Sequence, residues 1–210
     1  MKRFHAGLNV LNLEGPLSRA MCFAALFVFA SCTTSLDMSG ERIKPPGPES
    51  GVVIGSLLVQ PESSTSDKKI TGRDGSGASY EFDIVQIRPA DPNGEDPYAK
   101  SYQLDAQAGE ERTFISRLPP GQYLIRRFRQ AAVVGLGGEL DLVFDAAPGE
   151  VRYIGRVRIE IPQRVSRGKG YSFTVENARE SALAQVSVRH GDLTKAAVDG
   201  PMHARPPAAP

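Results

Sequence analysis

From about residue 51 to residue 190 the dominant repeat in the sequence is two, and that repeat limits the fold more than any other feature. Its clearest instance is 151–161: Val151, Tyr153, Val157, Ile159 and Ile161 read as one face, with Gly155 between them, and Arg152, Arg156, Arg158 and Glu160 as the other. Side chains alternate along an extended chain, so such a run is expected to be a strand with one side on a core and the other in water. Tyr80, Phe82 and Ile84 repeat the pattern in a run that continues to Ile87, as do Tyr102, Leu104 and Ala106; Leu140, Leu142 and Phe144; and Tyr171, Phe173 and Val175. Val52–Val59 is continuously apolar and stops at Pro61, as a strand buried on both faces does. Thr113–Ile115 and Gln122–Phe128 complete the set of extended segments.

The breaks between these runs carry turn chemistry. The chain has 21 Gly and 16 Pro, placed at Leu118-Pro119-Pro120-Gly121, at Pro148-Gly149 and in 91–97, where Pro fixes φ and Gly supplies positive φ. One helix is expected: Asn177 with Glu180 three residues on forms a capping-box pair, Ala178, Ala182, Leu183 and Val186 follow at helical spacing, and Gly191 is a natural stop. Short strands at roughly ten-residue spacing predict a mainly β fold, an antiparallel two-sheet sandwich with one short C-terminal helix.

The N-terminus follows different rules. Residues 20–31, Ala-Met-Cys-Phe-Ala-Ala-Leu-Phe-Val-Phe-Ala-Ser, are apolar or small. About 12 such residues are too few for a bilayer core of ~30 Å, which takes about 20 in a helix. They match the apolar region of an export signal, with Lys2, Arg3 and Arg19 before it and no basic residue after it until Arg42. The segment closes on Phe29-Ala30-Ser31-Cys32. This resembles the lipobox of bacterial lipoproteins, with Phe29 standing where Leu is usual. The resemblance implies cleavage between Ser31 and Cys32 and lipidation, palmitate included, of the Cys32 thiol. Thr33 follows, not Asp, which by the same resemblance implies transport to the outer membrane.

The organisation expected is therefore a signal peptide at 1–31, a flexible tether at 32–50 after lipidated Cys32, a β-sandwich at 51–191 and a disordered tail at 192–210. The tether and tail are read from their Ser-, Gly- and Pro-rich composition without periodicity. Cys22 and Cys32 are the two cysteines, so the exported part has no internal disulfide, and a domain of this size needs none.

A second resemblance enters at 114–128. Phe114-Ile115, Leu118-Pro119-Pro120-Gly121 and Tyr123 are similar to the LPPG hairpin of transthyretin-like and carboxypeptidase-regulatory-like β-sandwiches. Phe144–Gly155 resembles a segment of uncharacterised Gram-negative lipoproteins of the same build. The resemblance implies a sandwich fold and carries over no catalytic residue.

The remaining motifs are weak in chemistry. His5, His190 and His203 are the three histidines and share no metal-ligand spacing. His190 reads as a helix-end residue favouring the helix dipole. Gly75-Ser76-Gly77 lacks the frame of a nucleophile elbow. The glycines at 72–77 and at 135–138 lack the lysine and the strand–loop–helix setting of a phosphate loop. Asp91, Asn93, Glu95 and Asp96 match only the start of a calcium loop. Arg126, Arg127 and Arg129, with Arg152, Arg156 and Arg158, are either a basic strip for an anionic partner or a solvated face paired with acids. The net charge of +1 gives no reason to expect nucleic acid. No enzyme, cofactor or metal is expected. The expected role is an envelope interaction or accessory module, lipid-anchored at Cys32 and facing the periplasm from the outer membrane; the alternative is a sandwich binding a glycan or small ligand through loops 61–78 and 91–99.

Overall fold

The computed structural model describes residues 34–61, 78–87, 98–131, 136–162 and 170–205. In chain order they form β1 (Thr34–Ser35), β2 (Gly51–Pro61), β3 (Ser79–Ile87), β4 (Tyr98–Gln107), β5 (Glu111–Leu118), β6 (Gly121–Gln130), β7 (Gly137–Ala146), β8 (Val151–Ile161), β9 (Ser172–Glu176), helix α1 (Arg179–Lys195), β10 (Ala197–Asp199) and β11 (His203–Ala204). One sheet has the order β1-β4-β3-β6-β7-β11. The other has the order β10-β8-β2-β5, with β9 beside the later part of β8. Two sheets and one helix are the mainly β sandwich that the alternation predicts.

Three ladders depart from antiparallel pairing: β1–β4, β2–β8 and β8–β10 are parallel. The β2–β8 pair follows from how each strand is entered. β2 begins after 36–50 have wrapped one edge of the sandwich, and β8 begins after the turn at 147–150 has crossed from the first sheet, at the same end. The Pro119-Pro120 turn also crosses between sheets. β5 lies in the second sheet and β6 in the first, so the expected LPPG hairpin is an inter-sheet arch. Tyr123 fixes it by donating its hydroxyl to the Pro119 carbonyl at 2.8 Å.

The core lies between the sheets. Val53, Leu57 and Val59 of β2 face it together with Phe114, Ile154, Val157 and Ile159, opposite Tyr80, Phe82, Tyr123, Phe128 and Phe144 of the first sheet. Tyr123 stacks on Phe144 with ring centres 5.4 Å apart. β2 is continuously apolar because its other face is covered too: Val52 and Ile54 lie beneath α1, with Ile115, Val151 and Tyr153. Burial on both faces is what a run without alternation requires.

The described parts of the expected flexible tether and disordered tail, 34–50 and 192–205, are built into the fold. In the expected tether, β1 pairs with β4, Leu36 is 1% exposed within the core, Met38 donates its amide to the Ile115 carbonyl, and Ile43 packs under the helix. These residues close the side of the sandwich between β4 and β5, covering edges that would otherwise present unpaired backbone groups. In the expected tail, β10 extends the second sheet, Met202 enters the core, and β11 pairs with β7. Small, polar composition concealed both because each depends on a few isolated apolar residues (Leu36, Ile43, Met202) rather than on a period.

The helix also runs past its expected stop, reaching Lys195. Its buried residues are Ala182, Val186, His190 and Leu193, a continuous stripe at i+4, i+4, i+3. The break at this point falls on His190, with φ −131° and ψ 43°, and Gly191 makes no left-handed cap. His190 is thus buried at a kink between two helical segments, 179–189 and 191–195, so the expected stop falls on a break in the helix and not on its last turn. The Asn177–Glu180 capping box does not form either. The helix cap is Ala178, whose amide donates to the Tyr153 hydroxyl at 2.8 Å, while Asn177 Oδ1 accepts from the Arg179 amide at 3.1 Å.

Candidate interaction face

The outer face of the second sheet divides into two halves at Gly155. Before it, Val151 and Tyr153 point outward beneath α1, and Ile154 points into the core. Gly155, at φ +100°, is the extra residue of a bulge, where the β2–β8 register shifts between Ile54 and Ser56. After it, Arg156 and Arg158 pair with Ser56 and Leu58 on the outer face, while Val157 and Ile159 take the inner one. The single apolar face expected over 151–161 is therefore two faces joined by a phase change. Arg152 pairs with Val53 in the inner phase and does not align with Arg156 and Arg158.

Beyond the helix the outer face is ionic. Arg156 donates Nη2 to Glu176 Oε2 at 2.5 Å and Nη1 to Glu111 Oε2 at 3.2 Å. Ser56, fully buried, donates to the other oxygen of Glu111 at 2.7 Å. Arg158 bridges Glu160 at 2.8 Å and Glu176 at 3.4 Å. The network joins β2, β5, β8 and β9, and Leu58, opposite Arg158 in the ladder, is 9% exposed. The hydrogen bond from Arg156 holds the Glu176 carboxyl below the usual carboxylate range, and Glu176 in turn raises the Arg156 guanidinium. Burial pushes the Tyr153 phenol up, so it caps the helix as a neutral hydroxyl.

Arg126, Arg127 and Arg129, also expected in a basic strip, lie on the opposite sheet, in β6, whereas Arg152 shares β8 with Arg156 and Arg158. Arg127 pairs with Asp83 at 2.5 Å and Arg129 with Glu81 at 2.6 Å, each directly across the β3–β6 ladder. Arg126 sits at the bulge of β6. Arg152 pairs with Glu150 at 2.8 Å. The two arginine groups thus occupy opposite sides of the sandwich, and the five arginines just named as paired are held by carboxylates. The solvated, paired reading describes them.

Ser31, Cys32, the oxygens of 91–96 and the glycines of 72–77 lie outside the described residues. Gly137 and Gly138 open β7, where a Cβ on Gly138 would overlap the Tyr171 ring. Gly137 lets the backbone approach the Phe128 carbonyl, so both glycines are required by packing within the sandwich, while Gly135 lies outside the described residues. Among the described residues no group of three or more His, Cys, Asp or Glu could hold a metal. His203 is exposed on β11.

The two loops expected to share a ligand site leave opposite ends of the sandwich. Residues 62–77 join the end of β2 to the start of β3, and 88–97 join the end of β3 to the start of β4. β3 spans nine residues, about 27 Å of extended chain. Tyr80, which borders the first of these loops, is 5% exposed and faces the core. Two clefts accompany the ionic half. One, of about 170 Å³, is lined by Arg158, Phe173, Thr174 and Glu176; the other, of about 220 Å³, by Asp105, Gln107, Glu110 and Arg112. Both fall short of the roughly 300–1,000 Å³ of small-molecule sites.

No protein family's sequence pattern matches the chain, and no characterised protein matches it in sequence. Two solved structures overlay on it weakly. The T6SS lipoprotein TssJ1 of Pseudomonas aeruginosa is 14% identical, with a TM-score of 0.30 over 64% of this chain and 99% of that one. A leucine-rich repeat protein of Bacteroides thetaiotaomicron is 12% identical, with a TM-score of 0.31 over 54% of this chain and 14% of that one. TM-scores this low bear on neither fold nor function.

Proposed function

We propose that the chain is an envelope lipoprotein, anchored through Cys32 to the outer membrane and facing the periplasm, whose β-sandwich acts as a non-enzymatic interaction or accessory module. The observation that carries this reading is the apolar segment 20–31 closing on Ala30-Ser31-Cys32, with Thr33 separating that cysteine from a folded sandwich. The small side chains of Ala30 and Ser31 suit a signal-peptidase cleft, and the thiol is the one nucleophile at that point able to form a thioether to diacylglycerol. Each acyl methylene inserted adds ~0.8 kcal/mol of membrane affinity, so several chains on one residue anchor it firmly. Two features favour a module over an enzyme: the arginines and carboxylates of the ionic half pair with one another, and the clefts beside them are small. Metabolic labelling with a palmitate analogue tests the anchor. The wild-type chain takes up label and Cys32→Ser does not; label retained by Cys32→Ser sinks the proposal.

A further inference from the structure

The same anchor fixes which end of the sandwich meets the membrane. This rests on the lipidation of Cys32 proposed above and on the place of β1 in the first sheet. Cys32 is two peptide units from Thr34, so their Cα atoms lie within about 7 Å of each other. An 18-residue flexible tether, by contrast, would let the domain wander by roughly 24 Å root-mean-square. β1 runs parallel to β4, with Thr34 opposite Tyr102 and Ser35 opposite Gln103. The chain therefore enters the sheet from the end at which β4 begins. At that end β3 hands over to β4 through 88–97, Pro119-Pro120 links β5 to β6, and 147–150 link β7 to β8. At the opposite end β2, β4, β6 and β8 finish and β3, β5, β7 and β9 begin.

We infer that the end of the sandwich at which β3 finishes and β4 begins rests on the lipid headgroups, with the opposite end held away from the bilayer and the strands between them spacing the two. Leu36, buried in the core immediately after β1, and the Asp37–Arg112 ion pair at 2.6 Å keep this entry point from peeling away. The surface available to a periplasmic partner is then the far end, on which the cleft lined by Asp105, Gln107, Glu110 and Arg112 opens.

The test uses the full-length, lipidated chain in phosphatidylethanolamine–phosphatidylglycerol vesicles. Cys22 leaves with the signal peptide and Cys32 is acylated, so one introduced cysteine can be labelled alone. Ser101→Cys and Gln107→Cys place a fluorophore at two exposed positions on the same face of β4, about 20 Å apart along the strand. Vesicle flotation reads anchoring, and quenching by a nitroxide on the lipid headgroup reads orientation. The label at 101 should be quenched at least about five-fold more than that at 107, given their separation. A Gly/Ser insert of about twelve residues between Thr33 and Thr34 should erase the contrast, because a flexible linker of that length lets the domain tumble. Chains that float with equal quenching at both sites overturn the inference while leaving the anchor standing. Chains that do not float overturn the anchor, and the inference with it.

Discussion

The two halves of the outer face of the second sheet use the same strands to opposite ends. On one side of Gly155, Val52, Ile54, Ile115, Val151 and Tyr153 form an apolar floor for α1. On the other, Ser56, Glu111, Arg156, Arg158 and Glu176 form a layer of ion pairs open to water. A helix is present where outward side chains are apolar and absent where they are charged, and one bulge residue divides the two regions. The bulge lets an apolar strand present Tyr153 to the helix and, three residues later, Arg156 to Glu176. Without it Arg156 would fall in the inward phase, among Leu57 and Phe114.

The largest effect is therefore expected at the divider. Gly155 holds φ +100°, and a Cβ there would lie 3.1 Å from Val175 and 3.4 Å from the Glu176 carbonyl. Gly155→Val should cost about 3 kcal/mol or more, combining the strain of positive φ in a β-branched residue with overpacking. Chemical denaturation reads this directly. A stability within error of wild type would mean that the phase change does not depend on Gly155. The apolar half offers the second contrast. Tyr153→Phe keeps the ring under α1 and removes the acceptor of the Ala178 amide, so about 1 kcal/mol should be lost. Amide exchange should quicken in the first turn of α1 and not in β9.

How much of this could be read from the sequence depends on how far each feature relies on a period. The alternation of β3, β4, β7 and β9 follows from side chains meeting one core, and it was legible. So was β2, whose unbroken apolar run matches burial on both faces. The phase change at Gly155 was not, because Val, Tyr, Ile and Arg on either side read as a single alternation unless the glycine is counted as an extra residue. The folding of 34–50 and 196–205 was not either, since Leu36, Ile43 and Met202 are single anchors among Ser, Gly and Pro. Tyr153 replaces the Asn177 cap through a contact 25 residues away in sequence, which local capping rules do not include. For the ionic face, the arginines were legible as a group but their assignment to opposite sheets was not. Glu111 and Glu176, which complete the network, carry no spacing signal and are brought to Arg156 by the β5–β2–β8–β9 order alone. The stripe 182, 186, 190, 193 shows that burial continues past the break at His190, where the sequence reading stopped the helix.

The smallest effect belongs to the charged half, and it sharpens the contrast through its pH dependence. Arg156 and Glu176 have side chains 23% and 28% exposed, so water and salt screen their attraction. Glu176→Gln should cost no more than about 1 kcal/mol at neutral pH, as for partly exposed pairs generally. The sign with pH follows from the lowered Glu176 carboxyl, whose charged form is favoured more by the folded chain than by the unfolded one. Its contribution is fully present above the ordinary carboxylate value of about 4.3 and is lost as pH falls through that value toward the lower folded one. Melting temperature should therefore fall more steeply for wild type than for Glu176→Gln between about pH 5 and pH 3, where this linkage acts. The difference between the two proteins should shrink in 1 M salt, where the Debye length is about 3 Å. Tyr153→Phe, acting through a neutral hydroxyl, should run parallel to wild type across the same range. Parallel curves for Glu176→Gln as well would mean that the charged half stabilises the fold no differently from any other solvated surface.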